Sequence, residues 1–121
     1  MAKVLVIGNG AREHAMGRQL LLSKQVEKVY CAPGNLGMLA SGIEIVPISE
    51  LNFEKLIEFA KEQEIDLTVV GPELPLQQGI VDNFIASVLN IFGPSQAVAR
   101  LEGSKEFAKK IMREAGVPTA K

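Results

Sequence analysis

Val4-Leu5-Val6-Ile7-Gly8-Asn9-Gly10-Ala11-Arg12-Glu13-His14-Ala15 opens with four apolar residues, passes through a glycine-flanked turn and enters a run of helix formers. The apolar run stopped by Gly8 reads as a buried strand, and the Gly8-Asn9-Gly10 bend leads into a helix predicted over residues 11–22. Ala15, Met16, Leu20 and Leu22 are available for its inward face, and Ser23-Lys24-Gln25 is its exit. A strand that ends in glycines and opens a helix is the context of a phosphate-cradling turn. The glycines allow the sharp bend, and the first helical N–H groups, which lack intrahelical acceptors, point at an anion.

The alternation continues downstream. Lys28 to Ala32 is a second strand ending at Pro33-Gly34-Asn35. Glu44 to Ile48 is a short third strand, placed toward an edge because Pro47 has no N–H for a ladder. Asn52 is a plausible N-cap for a helix in which Phe53, Leu56, Ile57 and Ala60 fall at i, i+3, i+4 and i+7. Glu54, Glu58, Glu62, Glu64, Lys55 and Lys61 form its solvated face. Asp66 to Val70 is a β-branched strand stopped by Gly71-Pro72-Glu73, and Ile80, Phe84 and Val88 mark the inward face of the helix after it. Asn90-Ile91-Phe92 is a last strand closed by Gly93-Pro94-Ser95.

Strands alternating with helices predict an α/β fold: a Rossmann-like parallel sheet of about five strands with helices on both faces. All strand-to-helix turns then share the carboxyl edge, where open α/β sheets bind ligands. A trailing helix is predicted over residues 105–115, with an apolar stripe of Phe107, Ala108, Ile111, Met112 and Ala115 and a stop at Gly116-Val117-Pro118.

With 121 residues, 47% of them hydrophobic, the chain suffices for one core but not for two full domains. Aromatics are only 5% and Trp is absent, so Val, Ile, Leu and Ala must fill the core, as in strands covered on both faces. Thirteen basic against 14 acidic residues give a net charge of -1, which offers no electrostatic footprint for nucleic acid or an anionic membrane. No apolar run is long enough for a signal peptide or a membrane helix. The single cysteine, Cys31, has no disulfide partner and lies in an apolar strand, so a cytoplasmic, reducing location is the default expectation.

The turns are the chemically unusual parts. Asn9 and Gly10 sit in the first, and Arg12, Glu13 and His14 crowd the following helical turn, where a guanidinium adds a bidentate contact to an anion. The third position of a dinucleotide fingerprint, usually Gly or Ala, is Glu13. The second strand ends Ala32-Pro33 with no acid for a ribose hydroxyl, so NAD is disfavoured. His14, the only histidine, has no metal-ligand spacing around it and reads first as a solvated side chain. Gly71-Pro72-Glu73-Leu74-Pro75-Leu76 is a rigid loop that fixes the direction of Glu73; its plainer reading is Pro75 starting a helix at its first position.

In order along the chain, VLVIGNGAREHA (4–15), CAPGN (31–35), VVGPELPLQQGIVD (69–82), IFGPS (91–95) and LEGSKEFAKKIMREAGVPTA (101–120) resemble the amino-terminal part of the glycinamide ribonucleotide synthetase family, and the likeness spans nearly the whole chain. Two departures stand out: Ala11 replaces the second glycine of the family's usual Gly-Gly-Arg-Glu-His, and bulky Leu36, Met38 and Leu39 follow Asn35 where small residues are usual.

The resemblance implies an ATP-grasp carbon–nitrogen ligase of purine biosynthesis. Its substrates would be phosphoribosylamine, glycine and ATP, and its products glycinamide ribonucleotide, ADP and phosphate, with magnesium or manganese bound mainly outside this chain. It implies a pre-ATP-grasp domain over residues 1–102 and the start of an ATP-grasp domain over 103–121, whose remainder is the expected partner. The implied substrate-binding residues are Asn9, Gly10, Arg12, Glu13 and His14 in the first loop, Pro33, Gly34 and Asn35 in the second, and Gly71, Pro72, Glu73, Pro75 and Leu76 in the third. Ser104 and Lys105 match the start of the ATP-grasp segment, with Lys105 near the nucleotide phosphates. No catalytic or metal-binding residue is implied within the chain, which is expected to be inactive alone. Three alternatives stay open at this point: the same domain of another ATP-grasp ligase or carboxylase, a dinucleotide-binding or regulatory module, and an interaction module with no small ligand.

Overall fold

Apolar residues facing both ways along one strand require cover on both faces. In β1 (Ala2–Gly8) the residues Val4, Leu5, Val6 and Ile7 are all wholly buried, in a computed structural model that describes residues 2–92 and Arg113. The elements that follow are α1 (Ala11–Leu21), β2 (Val26–Pro33), a 3-10 helix (Leu36–Ser41), β3 (Glu44–Ile45), α2 (Phe53–Glu62), β4 (Leu67–Val70), α3 (Glu73–Gln77), α4 (Ile80–Ala86) and β5 (Ile91–Phe92). The sheet has the order β3-β2-β1-β4-β5 and every pairing is parallel, with Val6 of β1 opposite Cys31 on one side and Val69 on the other. The α/β, Rossmann-like architecture read from the sequence is therefore the one adopted.

Two apolar layers fill the molecule. Val4, Val6, Val29, Cys31, Leu67 and Val69 point toward Met16 and Leu20 of α1 and toward Met38 of the 3-10 helix. Leu5, Ile7, Tyr30, Val70 and Ile91 point the other way, toward Leu56 and Ala60 of α2 and Ile80 and Phe84 of α4. The chain leaves β1 toward β2 and β3, then returns to place β4 on the opposite side of β1. The gap between the carboxyl ends of β1 and β4 is thus the topological switch point, where this fold class opens a crevice.

Several local expectations give way to tertiary packing. The buried face of α1 is Glu13, Met16, Gly17 and Leu20, which also fall at i, i+3, i+4 and i+7. Ala15 faces outward, and Leu22 caps the helix with 79% exposure. A carboxylate at the head of that face hid the pattern. Val88 is likewise 79% exposed, with a positive φ of 59°, because α4 stops at Ala86 and Leu89 packs on the core in its place. Pro75 is the third residue of α3, whose N-cap is Pro72, so Glu73 rather than Pro75 begins that helix. The 3-10 helix, which carries no periodic signal, turns Leu36 and Leu39 outward and buries Met38. β3 is an edge strand as expected but shorter: Val46 N–H still donates to Cys31 O at 2.9 Å, and Pro47 then ends the pairing.

Asn52 caps α2 as read from the sequence, its side chain accepting from Lys55 N–H at 3.3 Å. Asn52→Ala is expected to lower stability by about 1 kcal/mol, and Asn52→Asp to retain it, as measured by urea unfolding. An unchanged alanine midpoint would show that the cap contributes nothing. The turn at 93–95, Ser104, Lys105 and the helix expected at 105–115 with its Phe107 stripe, apart from the helical residue Arg113, lie outside the described residues.

Candidate functional site at the carboxyl edge

The parallel sheet brings the ends of β1, β2 and β4 side by side, and the three loops are fastened there to one another. Gly34 N–H donates to Gly8 O at 3.0 Å, and the Asn35 amide donates to Asn9 O at 2.8 Å, joining the second loop to the first. Gly71 N–H donates to Ile7 O at 3.0 Å, and the Arg12 guanidinium donates through Nη2 to Gly71 O, joining the third loop to the first. Asn9, Gly10, Arg12, Glu13, Gly34, Asn35 and Gly71 thus form one connected rim, with Pro33 and Pro72 half-buried beside it.

Glu13 is the centre of this rim. Its side chain is 8% exposed, Oε1 accepts from Gly10 N–H at 2.9 Å, and Oε2 lies 3.4 Å from Arg12 Nε. This is one half of a capping box; glycine at the N-cap has no side chain to return the second bond. The carboxylate lies over two glycines. A Cβ on Gly8 would come within 2.4 Å of Glu13 Cγ, and one on Gly71 within 2.2 Å of Oε2. Gly8 has φ of 138°, so that position excludes side chains twice over. Sequence reasoning took Gly8 and Gly71 as turn residues; their further role is to admit Glu13. The side chain of Arg12 remains 68% exposed while bridging β4 and α1, so its outer edge faces solvent across the switch point.

His14 is half-buried rather than solvated, with Nε2 at 2.7 Å from Ser41 Oγ, which ties α1 to the 3-10 helix beside the second loop. Ser41 had no signal as a partner of His14, because it lies 27 positions away in a segment without periodicity. In the third loop Glu73 is exposed at the start of α3, Pro75 is buried, and Leu76 packs on the second core layer. Pro75 and Leu76 therefore anchor the loop, and Glu73 is its outward group. Among the described residues no group of three His, Cys, Asp or Glu side chains is placed to hold a metal ion.

Cys31 lies under the first loop, 1% exposed, its Sγ donating to Gly8 O at 3.2 Å. Burial, reinforced by the charge of Glu13, pushes its thiol up from 9.0 to about 12. Because the folded value is the higher one, the stabilisation is intact below pH 9.0 and is lost as pH rises through about 12. Cys31 is accordingly expected to stay unreactive toward Ellman's reagent at pH 8 in the native protein and to react at once in denaturant. Rapid labelling of the folded chain would contradict the burial.

Comparison with known proteins identifies the family of the chain. Residues 2–102 match the family model for the phosphoribosylglycinamide synthetase N domain. A phosphoribosylamine–glycine ligase from Lactococcus lactis is 58% identical over 98% of this chain, and one from Caldanaerobacter subterraneus is 55% identical over the same share. The chain spans 29% and 28% of the lengths of these two curated relatives. A crystal structure of dTDP-glucose 4,6-dehydratase from Bacillus anthracis in complex with NAD superposes with a TM-score of 0.58 over 98% of this chain and 53% of that one, at 15% identity, a likeness of fold alone. By the match over residues 2–102, the chain belongs to the phosphoribosylglycinamide synthetase N-domain family.

Proposed function

We propose that this chain is the amino-terminal part of a phosphoribosylamine–glycine ligase and that its carboxyl edge binds the phosphoribosyl end of the amine substrate. The observation that carries this reading is the fastened rim of Asn9, Gly10, Arg12, Gly34, Asn35 and Gly71 at the switch point, with an exposed guanidinium across it. A rim of amides, carbonyls and one guanidinium suits a small sugar phosphate: the guanidinium for the phosphate, and the carbonyls and the Asn9 and Asn35 side chains for hydroxyl groups. Glu73 at the start of α3 is an acceptor for a further hydroxyl or an amine.

In this reading residues 1–102 are the substrate-binding domain, residues 103–121 begin an ATP-grasp domain, and Lys105 approaches the nucleotide phosphates. The reaction is the cytoplasmic, ADP-forming condensation of phosphoribosylamine with glycine in purine biosynthesis. ATP and magnesium or manganese bind mainly beyond this chain. The described residues offer no metal-ligand set, so the part derived for them is binding and orientation: they hold the sugar phosphate so that its amine reaches the activated carboxylate. Among the described residues, no helix is long and apolar enough to cross a membrane.

A nuclear magnetic resonance titration of the chain with ribose 5-phosphate and, separately, with NAD tests the reading. Saturable shifts at Arg12, Asn35 and Gly71 with ribose 5-phosphate are expected. Shifts with NAD alone would replace the ligase reading with a dinucleotide module, and silence with both would favour an interaction module.

A further inference from the structure

The turn between β1 and α1 has the placement of a dinucleotide-binding turn but is filled from within. In such turns the glycine-bounded backbone at the end of the first strand is open to a pyrophosphate, and the helical N-terminal amides face its oxygens. Here the Glu13 carboxylate takes the Gly10 N–H at 2.9 Å, and its side chain occupies the space over Gly8 and Gly71 that a ligand's second phosphate would need. The carboxylate is itself 8% exposed, so it does not swing aside without leaving its pocket.

We propose that Glu13 is a specificity residue, a resident anion that closes the β1–α1 turn to diphosphates and leaves a single phosphate to the outer edge of Arg12. Two physical effects act together. One N–H cannot serve two acceptors at full strength, and a phosphate oxygen brought to Gly10 would meet a like charge at hydrogen-bonding distance. The Glu13–Arg12 contact also turns the guanidinium toward Gly71 O, so the same carboxylate that shuts the inner position helps to place the outer one. The closure itself stands without the sugar-phosphate reading above; only the assignment of the outer position rests on it.

The test follows backbone amides of the full 121-residue chain during titration with inorganic pyrophosphate and with ribose 5-phosphate. In the wild type, the Gly10 amide is expected to stay unmoved at millimolar pyrophosphate. Glu13→Gly, which restores the third fingerprint glycine, is expected to show saturable pyrophosphate shifts at Gly10 and Ala11, roughly tenfold or more tighter than any wild-type response. Glu13→Gln keeps the volume and an acceptor for Gly10 but removes the charge, and is expected to open only in part, with weaker pyrophosphate shifts at Gly10 than Glu13→Gly. Equal pyrophosphate shifts at Gly10 in wild type and Glu13→Gly would overturn the proposal, as would their absence in both. Should Glu13→Gly lose the dispersed strand spectrum, wild type and Glu13→Gln decide: a pyrophosphate shift at Gly10 in Glu13→Gln and not in the wild type supports closure, and equal shifts, or silence in both, overturn it. A gain of pyrophosphate binding in Glu13→Gly alongside no ribose 5-phosphate response at Arg12 would support closure while removing the sugar-phosphate reading.

Discussion

Gly71→Ala is expected to destabilise the chain by about 2–3 kcal/mol, a change that the φ/ψ preferences of alanine do not foretell. The new methyl group would stand 2.2 Å from Glu13 Oε2 and 2.6 Å from both Cδ and Cγ, and the Gly71 backbone is held in place through its N–H to Ile7 O and through its carbonyl to Arg12. Relief has two routes. Glu13 can leave its pocket, which gives up a hydrogen bond between a charged acceptor and the Gly10 amide, worth about 1.5–3 kcal/mol. Alternatively the ends of β1 and β4 part, an overpacking strain of about 1–3 kcal/mol. Thermal unfolding should fall by roughly 10 °C for a domain of this size. Combining Gly71→Ala with Glu13→Ala should recover part of the loss, since the clash and its partner vanish together. A Gly71→Ala variant with an unchanged midpoint, or strict additivity in the double variant, would show that the carboxylate does not fill this space.

That coupling marks the limit of what the sequence discloses. Apolar runs and period-3.6 patterns name most of the elements, since β1 is apolar from Val4 to Ile7 and α2 shows a clean stripe capped by Asn52. Residue-level patterning fails where a polar group takes a core position. Glu13 heads the buried face of α1, so a hydrophobic reading finds Met16 and Leu20 on that face but adds Ala15 and Leu22 in place of Glu13 and Gly17. It fails again where a helix stops early, as before Val88, because the stop is set by packing of Leu89 rather than by a breaker residue. The loops of the candidate site were legible as loops, from their glycines and prolines. Which residues within them touch was not, because Arg12 and Gly71 are 59 positions apart and only the β1–β4 pairing brings them together. Ser41 lay beyond reach for the same reason, 27 positions from the histidine it meets.

If the chain is part of a phosphoribosylamine–glycine ligase, as proposed, Arg12→Ala in the full-length enzyme is expected to lower kcat/KM for phosphoribosylamine by roughly 10–100-fold, with the KM for ATP changing by less than about threefold. The asymmetry follows from position. Arg12 stands on the first turn of α1 at the switch point, where the helix dipole favours an anion, and on the proposed reading its exposed guanidinium would add the charge-assisted bond that fixes a phosphate's direction. Losing a hydrogen bond to a charged group of this kind corresponds to about 1.5–3 kcal/mol, hence the range given. Stability should fall by no more than about 1.5 kcal/mol, because the side chain is mostly solvated and what is lost is its bond to Gly71 O and its contact with Glu13. Arg12→Lys should recover only part of the activity, since an ammonium cannot hold Gly71 O, Glu13 and a phosphate in one plane as a guanidinium does. Equal losses toward phosphoribosylamine and ATP would place Arg12 in a general structural role, and full recovery with lysine would reduce its part to bare charge. The first result would move the phosphate contact to another part of the rim, with the Asn35 amide, already committed to Asn9 O, a weaker candidate than the first-turn amides of Ala11 and Arg12.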